Sequence, residues 1–267
     1  MIAALIAIAV LIALFLFLIF PSLRRHPARQ RMAGRYIAHR GLHTTDVPEN
    51  SLAAFEKAIE RGYAIEIDIH LTADGELTVF HDDDLKRVCG VDKRVEDCTM
   101  AELKEMHLCG TDERIPTLSE CLAVVGGRVP LLIEFKCISM DCAALCRTAD
   151  AVLSSYNGEY WIQSFYPTVL RWYRKHRPDV CRGQLASAFP KEAFDKQLLG
   201  CLLFNVMARP DFVSYDHKHV GHICRRFCVW LGAFSVGWTF TEPSALDRCK
   251  NQFSTYIFEG FIPNEDR

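Results

Sequence analysis

Between Ile2 and Phe20 the chain has no charged or polar residue, and no Lys or Arg precedes that run. An apolar stretch of this length spans a hydrocarbon core of roughly 30 Å at about 1.5 Å per helical residue, so it reads as a transmembrane helix. The missing basic start, and the sequence Pro21-Ser22-Leu23-Arg24-Arg25 that follows, argue for a retained anchor over a cleaved signal peptide. No acidic residue occurs before Asp46, whereas Arg24, Arg25, Arg29, Arg31 and Arg35 follow the run. By the positive-inside rule this makes a single-pass N-terminal anchor with the remainder in the cytoplasm. The chain also lacks a strong net charge: at -2 it presents no whole-molecule field for nucleic acid, which is not expected as a partner. No Cys-x-x-Cys pair exists, and all 12 cysteines lie between Cys89 and Cys249. Cys142/Cys146 and Cys224/Cys228 stand at helical spacing, but a structural zinc site is not expected from this pattern; reduced core thiols are. Repeats and low-complexity tracts are absent, and 267 residues suit one large domain with a short appendage.

What is present is a β/α rhythm. Strand-like runs fall at Tyr36–His39, Ala64–His70 (extended by Leu77–Phe80), Leu131–Phe135, Tyr160–Gln163, Arg182–Ala186, Phe212–Tyr215, Ala233–Thr239 and Thr255–Phe258. Helical patterns separate them, among them 51–61, with Leu52, Phe55, Ala58 and Ile59 on one face behind an Asn50-Ser51 cap, and 191–199. Eight such units in roughly 230 residues fit an α/β fold of the (β/α)8 TIM-barrel type better than a doubly wound sheet. The expected organisation is a transmembrane anchor at 1–23, a basic juxtamembrane linker at 24–35 and a barrel at 36–267. Residues 82–117, too long for an ordinary βα loop, form a small insertion after the second β/α unit, lying over the mouth.

Catalytic side chains of a parallel barrel come from the C-terminal ends of several strands, so polar residues that end or interrupt apolar strands are the candidates. The first strand ends at His39-Arg40-Gly41, the second carries Glu66 and Asp68, its extension ends at His81-Asp82, and the third reads Leu132-Ile133-Glu134-Phe135-Lys136. Glu66 and Asp68 are two apart, so the pleat turns both carboxylates inward while the isoleucines face the helices. Two buried like charges are costly without a cation, and Glu134 from the next strand completes an all-oxygen set. That set, without cysteine, fits Mg2+ or Ca2+ over Zn2+. His39 and His81 stand where an imidazole exchanges protons near neutral pH, and Arg40 can grip a phosphate in bidentate fashion. Lys136 either adds a second positive charge for the phosphate or pairs with the metal carboxylates. His43, His70 and Asp82 read as supporting residues, while His107, His176, His217, His219 and His222 read as ordinary surface or core histidines.

Together these segments resemble a known family. Ile37-Ala38-His39-Arg40-Gly41, Pro48-Glu49-Asn50-Ser51, Glu66-Ile67-Asp68, Thr72-Ala73-Asp74-Gly75, Val79-Phe80-His81-Asp82, Glu134-Phe135-Lys136, Gln163-Ser164-Phe165 and Gly237-Trp238-Thr239 are similar, in this order, to the signatures of glycerophosphodiester phosphodiesterases of the membrane-anchored bacterial type. The resemblance implies a (β/α)8 barrel with an inserted subdomain and a divalent cation on Glu66, Asp68 and Glu134. It also implies His39 and His81 as general acid and base, and Arg40, Lys136 and Trp238 on the substrate. The reaction it implies is hydrolysis of glycerophosphodiesters to sn-glycerol 3-phosphate and an alcohol, with lysophospholipids as further candidate substrates. The pattern departs from the family at Phe258-Glu259-Gly260-Phe261-Ile262-Pro263-Asn264, where a threonine and an acid more often follow the acidic-glycine turn. A metal-free phospholipase C-like lyase, which would stop at a cyclic phosphate, fits the three acids poorly. A tethered binding module without catalysis fits His39, Arg40 and His81 poorly.

Overall fold

The computed structural model describes residues 1–189 and 192–263; Lys191 of the expected 191–199 helix, Asn264 of the last turn and the tail of the expected barrel domain lie outside them. Among the described residues nine strands occur: β1 (Tyr36–Ala38), β2 (Ala64–Leu71), β3 (Leu77–Val79), β4 (Leu131–Phe135), β5 (Tyr160–Ser164), β6 (Arg182–Ala186), β7 (Phe212–Asp216), β8 (Phe234–Phe240) and β9 (Thr255–Phe258). Eight of them are parallel, in the order β1-β9-β8-β7-β6-β5-β4-β2, and the pairing of β1 with β2 at Ile37↔Ala64 closes the ring. The expected TIM barrel is therefore what the chain forms, with β3 turned back antiparallel on β2.

The pleat sorts the side chains. Ile65, Ile67, Ile69, Leu131, Ile133 and Phe135 point outward into the layer shared with the helices. Their inward neighbours are apolar at the N-terminal end, where Ile37, Ala64, Leu132, Trp161, Phe212, Val236 and Ile257 pack into a floor, and polar at the C-terminal end. Leu52–Glu60 is a helix for local reasons: the Ser51 hydroxyl accepts from the Ala54 amide at 3.1 Å, and Ala54, Phe55 and Ala58 are buried on one face.

Residues 24–35 differ from the linker expected of them. They include the helix Ala28–Met32, whose Ala28 and Met32 seal the floor from below. Arg24 pairs with the fully buried Asp211 at 3.0 Å, Arg31 pairs with Glu159, and Thr255 Oγ1 donates to the Met32 carbonyl at 2.6 Å. An open barrel floor would leave apolar side chains wet, and this segment closes it.

The insertion lies between β3 and the helix Leu118–Val125, so it separates the second strand from its own helix. It has a core of its own: Phe80, Leu85, Val88, Val95, Cys98, Met100, Leu103, Leu108 and Ile115. The apolar segment forms the helix Ile2–Ile19, exposed along most of its length. Among the described residues it alone is long and apolar enough to cross a membrane, as an anchor or a signal sequence would be. Its end docks at the floor: Asn205 donates to the Ile19 carbonyl at 2.9 Å, and Arg209, just ahead of β7, donates to the Phe17 and Phe20 carbonyls at 2.8 Å.

Candidate active site

At the C-terminal ends of the strands the polar inward positions converge. In the β2–β4 register Asp68 lies opposite Glu134, and in the β4–β5 register Glu134 lies opposite Gln163. Glu66, Asp68 and Glu134 are buried, and one oxygen from each lies within 4.8 Å of the other two. Burial, reinforced by Asp68 and Glu134, pushes the Glu66 carboxyl well above its usual range. For Asp68 burial acts the same way, but Lys136, His81 and Arg40 outweigh it and hold the group ionised. Asp68 Oδ1 is sealed from solvent, makes no hydrogen bond and faces the Lys136 ammonium at 3.2 Å. Three buried oxygen donors with surplus negative charge and a sealed lone pair fit a hard divalent cation.

Arg40 and Gly41 both lie in the left-handed region, at φ 54° and 81°. A Cβ at Gly41 would meet the Ala54 Cβ at 2.8 Å, so the chain can turn sharply here only with glycine. The turn aims the Arg40 amide at Glu66 Oε2 (3.1 Å) and its guanidinium at Glu49 (2.8 Å) and Asp68 (3.6 Å). His39 leaves the end of β1 with Nδ1 2.5 Å from Glu259 Oε2 and Nε2 4.0 Å from Glu66. Burial lowers its pKa, against the Glu259 hydrogen bond and with the help of Arg40. His81 Nδ1 meets Asp82 at 2.7 Å, and burial lowers this imidazole as well, opposed by Asp68. Burial thus works against the charged form of both imidazoles, and the carboxylates beside them work for it. His70 accepts a supporting place, its Nε2 3.3 Å from the His81 carbonyl oxygen, with burial pushing it down to about 4.

Lys136 Nζ lies 2.7 Å from Glu134 and 3.2 Å from Asp68, so the carboxylate pairing is the arrangement seen, and its side chain also lines the cavity. That cavity, about 110 Å³, is bounded by His39, Arg40, Glu66, His81, Glu134 and Trp238 among others. Trp238 sits edge-on to Phe165 at 5.9 Å, with its indole nitrogen buried and unpartnered. Beyond Phe165 runs an apolar trough of about 520 Å³, lined by Met140, Tyr166, Pro167, Phe189, Leu199 and Phe204, with Lys196 on its edge. Of the eight residues given a catalytic, substrate or metal role in the sequence, seven line this cavity, and Asp68 lies fully buried against Lys136.

Three partners were not foreseen. Glu259 ends β9 in the same way that His39 ends β1, and scanning the last strand for terminal polar residues would have found it. Glu49 sits in a motif quoted for its resemblance but was given no role. Arg87, from the insertion, donates to both Glu49 (2.6 Å) and Asp82 (2.6 Å), linking the His81 side of the mouth to Arg40. Burial would raise the Asp82 carboxyl, but the Arg87 and His81 hydrogen bonds bring it down to about 2. No strand-end pattern marks an arginine inside an inserted loop.

Three inward acids, two histidines and two cations thus meet at the mouth of a parallel barrel. Residues 39–200 match the Glycerophosphoryl diester phosphodiesterase family, and the chain belongs to it. A lysophospholipase D of Homo sapiens is 30% identical over 182 residues, 62% of this chain and 56% of that protein. A glycerophosphodiester phosphodiesterase of Caldanaerobacter subterraneus is 36% identical over 160 residues, 56% of this chain and 65% of its own length. The chain thus spans little more than half of the first relative and under two thirds of the second. An Oleispira antarctica phosphodiesterase, solved in complex with the product sn-glycerol-3-phosphate, superposes with a TM-score of 0.72 at 25% identity, covering 86% of this chain and 94% of that one. A glycerophosphodiester phosphodiesterase of Thermotoga maritima gives 0.63 at 27% identity, covering 84% and 93%.

Proposed function

We propose that the chain hydrolyses glycerophosphodiesters to sn-glycerol 3-phosphate and an alcohol. The observation that carries this reading is the mouth itself: three buried carboxylates within 4.8 Å of one another, flanked by His39, His81, Arg40 and Lys136. Glu66, Asp68 and Glu134 would hold Mg2+ or Ca2+, which supplies Lewis-acid polarisation of a phosphoryl oxygen when bound. Arg40 and Lys136 neutralise the phosphodiester charge, and Trp238 packs against the glycerol or alcohol portion. One histidine takes the proton of the glycerol hydroxyl vicinal to the ester as that oxygen attacks phosphorus, and the other protonates the departing alkoxide. Water then opens the cyclic phosphate with the two histidines in exchanged roles, restoring both protonation states. Glu259 and Asp82 orient His39 and His81 through their Nδ1 atoms.

A second substrate class is favoured by the apolar trough beyond Phe165, which suits an acyl chain. A lysophospholipid with a free vicinal hydroxyl presents the same reacting atoms, and the name of the human relative supports this extension. The exposed apolar helix and the arginines behind it support a retained single-pass anchor at 1–23, with residues 36–267 as a cytoplasmic barrel. The test is release of glycerol 3-phosphate from glycerophosphocholine by the full chain in detergent. Activity should vanish with chelator, return with Mg2+ or Ca2+, and be lost in His39→Ala and Asp68→Asn. Hydrolysis indifferent to chelator, or intact in His39→Ala, overturns the reading.

A further inference from the structure

A second cluster of metal-ligand type lies on the outer side of β7, and none of its residues lines the catalytic cavity. Cys201 caps the end of the helix Phe194–Gly200, His222 caps the start of the helix Ile223–Trp230, and Cys224 is in the first turn of that helix. One ligand atom from each lies within 4.8 Å of the other two. We propose that Cys201, His222 and Cys224 form a site for a thiophilic divalent cation of the zinc class, independent of the carboxylate centre.

The cluster is braced as a binding site would be. Tyr215 points outward from β7, and its hydroxyl donates to the Gly200 carbonyl at 2.9 Å, fixing the residue next to Cys201. The same ring stacks on the His222 imidazole, with centroids 5.8 Å apart and planes at 29°. One residue therefore holds both halves of the cluster, which lowers the ordering cost of ligation. Cys224 is buried, and His222 Nδ1 is shielded from solvent without a hydrogen-bond partner, a polar atom that ligation through Nδ1 would satisfy. Two sulfurs and an imidazole select soft or borderline ions over Mg2+ and Ca2+. Binding releases two thiol protons to solvent, and two thiolates, a neutral imidazole and a dication carry no net charge together. Three ligands leave the fourth tetrahedral position for water. The local Cys spacing spoke against a zinc motif because the ligands come from connections on either side of β7, and folding alone brings them together. A bound ion would clasp two successive β/α units on the outside of the barrel.

The experiment uses the full chain in detergent, reduced and metal-free, with Co2+ as the probe. One equivalent should produce thiolate-to-cobalt charge-transfer absorption in the near ultraviolet, which Zn2+ then bleaches. Cys201→Ser and Cys224→Ser should abolish the band, and Glu134→Gln, which alters the carboxylate centre, should leave it. Because a serine variant can misfold, a second measurement uses the unaltered chain: Zn2+ should slow alkylation of Cys201, mapped by peptide mass spectrometry among the 12 cysteines. Absence of the band in protein whose thiols titrate as free, its persistence in Cys224→Ser, or alkylation of Cys201 indifferent to Zn2+ overturns the proposal.

Discussion

Replacing Glu259 by Gln keeps the shape of the residue that meets His39 and removes its charge. In the parent, Oε2 lies 2.5 Å from His39 Nδ1 and 3.6 Å from His43 Nε2. Hydrogen bonds to a charged group contribute about 1.5–3 kcal/mol and neutral ones about half as much, so the substitution removes about 1–1.5 kcal/mol of orientation and charge stabilisation. At about 1.4 kcal/mol per decade, kcat for glycerophosphocholine should fall about tenfold, with KM little changed because Glu259 is not placed on the substrate. The pH profile carries the sharper information. His39 is held below the usual imidazole range by burial, with Arg40 acting in the same direction, and Glu259 opposes them, as does Asp68. Loss of the carboxylate lowers His39 further, so the limb of the profile that reports this residue moves to lower pH. If the acid limb moves, His39 must be neutral to work and is the base of the rate-limiting step; if the alkaline limb moves, it is the acid. Steady-state kinetics across pH on Glu259→Gln and the parent give both readouts. An unchanged kcat with neither limb displaced would refute the coupling of Glu259 to His39.

Two other outcomes follow from the packing. Met32→Ala opens the barrel floor at a fully buried position, so thermal unfolding of the full chain should show a loss of about 2–5 kcal/mol. Residues 24–35 acting as a free linker would give no change. Leu199→Trp fills the trough beyond Phe165, so the rate on a lysophosphatidylcholine should fall about tenfold relative to glycerophosphocholine, roughly the discrimination one lost apolar contact supplies. Equal effects on both substrates would exclude the trough as an acyl site.

How far the molecule could be read in advance depended on whether a residue obeyed a local period. Glu66, Asp68 and Glu134 interrupt isoleucine- and leucine-rich strands at inward positions, so pleat geometry alone brought them together. His39 and His81 were visible as strand ends for the same reason. Met32 escaped because a plug of two buried residues, Ala28 and Met32, makes no amphipathic pattern in a segment dominated by arginine. Those arginines read as a basic juxtamembrane linker, yet Arg24 reaches the buried Asp211, a pairing set by the β6–β7 packing and not by spacing. Arg87 and the Cys201–His222–Cys224 cluster were invisible on the same principle, since no local period links Arg87 to Glu49 or Cys201 to His222.

The docking of the apolar helix has a consequence for supply. Its last turn is fastened by Asn205 and Arg209 at the end of the barrel opposite the mouth. With that helix in a bilayer, the floor faces the lipid and the catalytic opening faces water. An acyl-bearing substrate would have to desorb and diffuse around the barrel before it could be cleaved. Turnover of such a molecule would then follow its dispersed monomer concentration and level off once added lipid only enlarges the aggregated pool, whereas a deacylated diester would show no such ceiling.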